Sequence, residues 1–289
     1  MGPLEFELTQ RAILGTTIVS IACGVLGVLV ILRGLAFISD ALSHCVVPGA
    51  VVAYLTHSSL ELWGGAAAVL SAWGIAALIR RRILSSDPAI AVVFTGTFAL
   101  GLAIISGTRS YMNDLADILF GAVLAVSPTD LLVSGIVAAA VIGTVLVLYW
   151  PLVLVTFDPV AAQAQGIPVQ RVDVIFYGLL ALTVVSGMVA VGSVLVTGLL
   201  IVPATSARLV TRRVKTQMIV SACLGCAASW TGLYLSYYFP IASGGAIVLA
   251  AGSLFVLIVG FLWIRRLTVQ GSSPPRRPNA SFAPAAETS

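Results

Sequence analysis

The chain has 289 residues, of which 59% are hydrophobic and only 9% charged, with a net charge of +4, whereas soluble domains carry about a quarter charged residues. That balance excludes a soluble globular enzyme, a disordered chain and a disulfide scaffold, and no period-2 alternation points to a membrane barrel. The excess of basic residues does not indicate a nucleic-acid binder either, because Lys and Arg are scattered at the ends of apolar runs and not gathered on one face.

A helix must run for about 20 apolar residues to cross a hydrocarbon core about 30 Å thick. Nine runs meet that length, near residues 12–32, 37–56, 62–79, 89–107, 131–154, 174–191, 194–210, 217–238 and 245–264. The first is preceded by Glu5 and Glu7 and shows no small-residue cleavage site, unlike a removable signal. A further apolar stretch at 115–127 is too short to cross and reads as a re-entrant or interfacial helix, so eight to ten crossings bracket the expectation. The predicted class is all-α, a polytopic transmembrane helical bundle over residues 1–269. A Pro-, Ser- and Ala-rich tail follows at 270–289, with a composition unable to order itself.

The second run is unlike the others. Most carboxylates fall at run ends or in loops, but SDALSHCVVPGAVVAYL places Asp40 and His44 inside the span, at i and i+4 on one helical face. An ionisable group at such depth costs roughly 2.5 to 3.5 kcal/mol to insert, so it faces a partner or a polar path. A carboxylate oxygen with a neutral imidazole nitrogen suits Mn²⁺, Fe²⁺ or Zn²⁺ better than an alkali ion or an organic solute. The plainer reading is that the two neutralise each other, with help from Arg33. Two ligands are no cage, so water, a carbonyl or the same pair from a second subunit must complete the shell.

The neighbours of the pair carry weaker signals. Cys45 follows His44 but points about 100° away and is left out of the ligand set. Ser39 and Ser43 are in position to support the ligands or simply to satisfy carbonyls, and Pro48 with Gly49 permits a kink one turn onward. His57 reads as a solvated loop histidine, Asp114 and Asp117 as a solvated face near Arg109. Cys223 and Cys226 form a CxxC within an apolar run and read as packing residues.

Positive charge favours cytoplasmic loops. With the N-terminus outside and the C-terminus inside, thirteen of the fifteen basic residues are cytoplasmic and only Arg11 and Arg109 face out. That orientation puts FDPVAAQAQGIPVQRVD, residues 157–173, in the cytoplasm. There Asp158 is an N-cap, Pro159 fits the first turn, and Gly166 with Pro168 stops a short amphipathic helix.

Taken with these features, FISDALSHCVVPG at 37–49, LFGAVLAVSPTDL at 119–131, FDPVAAQAQGIP at 157–168 and VGSVLVTGLLIVPATSARLV at 191–210 resemble the membrane permease subunits of ATP-binding-cassette importers for manganese, zinc and iron. The resemblance runs over nearly all of residues 8–266. It implies that Asp40 and His44 are the metal-binding point, and that the short cytoplasmic helix is a coupling helix seated on an ATPase through Asp158, Pro159, Ala161, Ala162, Gln165 and Gly166. It also implies a second permease subunit, as a homodimer or a related heterodimer, two cytoplasmic ATPase subunits and an extracytoplasmic metal-binding lipoprotein, all at a bacterial cytoplasmic membrane. The cation is cargo, not a resident cofactor, with manganese expected first and zinc or iron as alternatives.

The chain carries no GxxxxGK[ST] loop, and Lys215 is its one lysine, so ATP hydrolysis falls to a separate subunit and the chain is not itself an enzyme. Two other readings remain open at this point. A proton-coupled secondary transporter would use Asp40 and His44 as a relay. An importer of metal chelates would need a wide path and no inner-sphere ligands. An intramembrane hydrolase is disfavoured by the absence of HExxH and by a total of two histidines.

Overall fold

The computed structural model describes residues 7–106, 127–239 and 241–270, and among them there are helices and no strands. The helices are α1 (Glu7–Leu32), α2 (Ile38–Cys45), α3 (Val47–Thr56), α4 (Leu60–Arg80), α5 (Ser86–Ile105), α6 (Pro128–Val147), α7 (Tyr149–Phe157), α8 (Pro159–Ala164), α9 (Val169–Val191), α10 (Ser193–Val210), α11 (Val214–Tyr238) and α12 (Ser243–Gln270). Among the described residues nine stretches are long and apolar enough to cross a membrane, with α2 and α3 sharing one of them as Ile38–Thr56. The expected all-α polytopic bundle is thereby found. The short apolar segment expected at 115–127 lies outside the described residues except for Ser127, and so does nearly all of the tail expected from 270 onward.

Two spans differ from the continuous helices expected of them, and proline explains both. Pro48 has no N–H to offer the carbonyl of His44, and the second span is divided at Val46 into α2 and α3. Pro151 likewise withholds a donor from Val147. The run expected as one crossing at 131–154 ends as α6 at Val147 and resumes as α7 after Leu148. Side-chain caps start α6 and α8. Ser127 and Asp130 form a reciprocal capping box that starts α6, with Asp130 N donating to Ser127 Oγ at 3.1 Å and Ser127 N to Asp130 Oδ2 at 3.0 Å.

The core is a continuous apolar cluster in which α1, α2, α9 and α10 meet; Leu26, Leu29, Leu42, Phe176, Leu180 and Leu199 are fully buried there. Close approach of backbones does much of the packing, as expected where lipid removes any hydrophobic drive between helices. Gly27 shows this directly, since a methyl group at that position would run into the carbonyl of Leu200 on α10. Burial is uneven across the bundle. The most apolar stretch of α1 is 67% buried but that of α12 only 11%, which leaves α12 clothed in outward-facing Leu249, Val256, Leu257, Phe261 and Trp263. Hydroxyls within spans satisfy carbonyls one turn back, as with Thr16 on Ala12 and Thr183 on Leu179.

Candidate functional site

α2 sits well inside the bundle, and its buried residues include Ile38, Ser39, Ala41, Leu42, Ser43 and Cys45. The position that breaks this burial is Asp40, which is exposed, with His44 half-buried one turn on and Phe37 exposed one turn before. A single stripe of α2 thus presents a carboxylate and an imidazole outward from the chain while every flanking residue faces in. Nothing in the sequence of an ordinary packed span requires that arrangement.

The neighbours of the pair are now defined. The His44 ring lies 5.6 Å from the ring of Phe94 and 5.8 Å from that of Phe98, centroid to centroid, and the two phenylalanines stack on each other at 6.0 Å. Its Nδ1 is buried without a hydrogen-bond partner. A buried imidazole nitrogen left unpaired is costly unless something outside the chain completes it. Ser43 Oγ donates to the Asp40 carbonyl at 2.7 Å, and Ser39 Oγ donates to Thr197 Oγ1 of α10 at 3.1 Å, so both serines are engaged within α2 or with α10 and not with the Asp40 or His44 side chains. Cys45 is fully buried, and its sulfur accepts from Thr97 Oγ1 at 3.1 Å.

Arg33 does not neutralise Asp40. Its guanidinium donates to Asp173 Oδ1 at 2.8 Å and to Thr156 Oγ1 at 3.0 Å, over the ring of Phe176. The reading in which Asp40, His44 and Arg33 form a closed charge cluster is therefore overturned for Arg33. Among the described residues there is also no group of three or more His, Cys, Asp or Glu close enough to hold a metal ion.

The second candidate region, α8, is built as its sequence suggests. Asp158 Oδ1 accepts from Val160 N at 3.0 Å and Ala161 N at 2.9 Å, Pro159 occupies the first turn, and Gly166 leaves the helix at φ +78°, a conformation that a Cβ would oppose. Asp158, Pro159, Gln165 and Gly166 are exposed and Ala161 is half-buried. Ala162 is wholly buried, so it anchors α8 to the bundle and is covered within the chain, while Val160, not singled out beforehand, stands 70% exposed beside it.

Of the other residues noted from sequence, His57 is exposed and caps α3 at φ +51°. Cys223 and Cys226 are free, the first exposed and the second half-buried. Asp114, Asp117 and Arg109 lie outside the described residues. Sequence reasoning missed the Phe94–Phe98 flank of His44, although aromatic residues at i and i+4 were a visible signal, and missed the Arg33–Asp173 pair, which joins residues too far apart in the chain for any local pattern to reveal.

Comparison with known proteins agrees with this architecture. The ABC 3 transport family matches residues 5–262. A relative called manganese transport system membrane protein MntC, from Halalkalibacterium halodurans, is 41% identical over 258 residues, covering 89% of this chain and 88% of that one. A Haemophilus influenzae relative titled "Probable iron transport system membrane protein" is 34% identical over 268 residues, with 92% of this chain and 97% of that one covered. Among solved structures, PsaBC from Streptococcus pneumoniae in complex with Fab superposes with a TM-score of 0.77 at 33% identity, over 88% of this chain and 92% of that one. The chain belongs to the ABC 3 transport family, as a multi-pass membrane permease subunit that leaves ATP hydrolysis to a separate protein.

Proposed function

We propose that this permease imports a divalent transition metal ion, Mn²⁺ first, with Asp40 and His44 supplied by each of two permease copies around a central path. The carrying observation is the outward stripe on α2. An exposed carboxylate and an unpaired buried imidazole nitrogen share one face of an otherwise buried span, and among the described residues no third His, Cys, Asp or Glu joins them. Incomplete coordination suits a carrier, because a saturated cage would hold its cation too long to release it. The names of relatives support the cargo, since that from Halalkalibacterium halodurans is called a manganese transport protein and that from Haemophilus influenzae a probable iron transport protein.

In this reading the N-terminus is outside and the C-terminus inside, which places α8 and the Arg80–Arg82 turn in the cytoplasm. There the exposed part of α8, with Asp158, Pro159, Ala161, Gln165 and Gly166, meets the ATPase subunit, and Ala162 holds it to the bundle from behind. An extracytoplasmic metal-binding lipoprotein delivers the ion to the opposite side. ATP binding moves α8, and α2 changes the side to which its ligands open.

The test is radiolabelled Mn²⁺ uptake by proteoliposomes holding the permease and its ATPase subunit, with Zn²⁺ and Fe²⁺ as competitors. ATP-dependent uptake is expected, and Asp40→Ala or His44→Ala should abolish it at unchanged protein levels. Normal uptake in both variants overturns the assignment of the ligands. Uptake by the permease alone under a pH gradient would overturn the ATP-driven mechanism in favour of proton coupling.

A further inference from the structure

Arg33 closes the turn between α1 and α2, seven residues before Asp40. Three groups grip its guanidinium. Nη1 donates to Asp173 Oδ1 at 2.8 Å, Nε donates to Thr156 Oγ1 at 3.0 Å, and Cζ stands 4.0 Å from the centre of the Phe176 ring. The Arg33 and Asp173 side chains retain only 10% and 18% of their exposure. Thr156 lies in the last turn of α7 and Asp173 near the start of α9, so one side chain holds both flanks of the segment that carries α8.

The turn that Arg33 occupies is itself closed. Arg33 N, Gly34 N and Leu35 N donate to the carbonyls of Leu29, Ile31 and Val30, Ile38 N donates to that of Leu35, and Leu35 is buried. A displacement of the α7–α9 junction against α1 is therefore passed to the first turn of α2 and not absorbed in slack chain. On the side of these same residues α8 borders open space. A cavity of about 450 Å³ is lined by Arg33, Arg80, Arg82, Pro159, Gln163 and Asp173, so α8 and the flanks it is joined to have room to shift together.

Packing alone does not account for this arrangement, because a desolvated ion pair is commonly no more stable than apolar side chains of the same volume. We propose that Arg33, Thr156 and Asp173 form a mechanical clamp that converts movement of α8 into movement of α2, which makes Arg33 a positioning residue for Asp40 and His44. The clamp rests on the transport reading given above. Its distinctive claim is that the energetic link between the ATPase face and the metal ligands runs through a single guanidinium.

The experiment uses the complete transporter, permease with ATPase subunit, in proteoliposomes with Mn²⁺ as the probe, and reads basal ATPase, Mn²⁺-stimulated ATPase and uptake. Arg33→Gln and Asp173→Asn should keep basal ATPase while losing stimulation and uptake by a factor within the roughly 5- to 150-fold range of ordinary site-to-site coupling. The double variant should be no worse than the poorer single one, because both act on one link. Arg33→Lys, which keeps the charge opposite Asp173 but loses the Thr156 bond, should recover part of the stimulation, as a purely structural defect in basal activity would not.

If Arg33→Gln fails to assemble, Thr156→Val decides, since it removes one bond without stranding a charge and should lower the ratio of stimulated to basal ATPase a few-fold. Full stimulation and uptake in Arg33→Gln or in an assembled Thr156→Val overturns the clamp. Asp40→Ala run alongside separates the two readings: loss of uptake there with normal Arg33→Gln removes the clamp alone, whereas normal uptake in Asp40→Ala removes the ligand assignment.

Discussion

The two short helices to which the proposed function is assigned are built by opposite means. α2 is buried in the bundle and shows the outside one carboxylate and part of one imidazole, whereas α8 lies between spans and shows the outside nearly everything but Ala162. In α2 the fold is secured by apolar packing, and the proposed function rests on the residues that break the pattern. In α8 the fold is secured by backbone caps, Asp158 at the start and Gly166 at the end, and any function belongs to the surface those caps hold in place. A charge substitution should therefore be decisive in α2, and a capping substitution should be decisive in α8.

The largest expected effect is on charge in α2. Asp40→Asn keeps the shape of the side chain, leaves the helix intact and should bring Mn²⁺ uptake to background, measured in the same proteoliposomes; retained uptake would mean that shape, and not charge, matters there. Next comes support for the other ligand. Phe94→Ala removes one of the two rings against His44 and should raise the apparent KM for Mn²⁺ by roughly 10-fold, as loss of a ligand's supporting group does, with a smaller change in maximal rate.

In α8, Asp158→Ala strands two N–H groups at a cost of about 1 kcal/mol and should lower uptake severalfold, while Asp158→Ser, which still caps, restores it. If Ser fails to restore uptake, Asp158 has a role on the surface as well as at the cap. The smallest effect is expected outside both helices: His57→Gly relieves a left-handed residue on the exposed end of α3 and should leave uptake within about twofold while raising thermal stability slightly.

The same contrast shows what could be seen in the sequence. The spans were legible because bilayer thickness imposes one length on every apolar run, and the Asp40–His44 pair because charge at such depth is costly enough to need a reason. The ends of α8 were legible because caps are local. The break before α7 was equally local, with Pro151 as its sign, yet the apolar run across it reads as unbroken by length and hydropathy alone. Arg33 and Asp173 were not legible. In sequence Arg33 stood nearest to Asp40 and was read as its partner while Asp173 was an ordinary charge at the end of a span, and only folding brings the ends of α1 and α9 together around Thr156.

Cys45 carries one more consequence. Its sulfur lies next in sequence to an imidazole proposed to meet the travelling ion, yet it is turned into the protein and occupied by the hydroxyl of Thr97. Thiolates seize soft, thiophilic ions such as Cd²⁺ or Cu⁺ far more tightly than they hold Mn²⁺. By facing this atom inward, the fold keeps the thiol out of the proposed ligand set, so that a thiophilic ion reaching Asp40 and His44 would meet an oxygen and a nitrogen there instead of a sulfur.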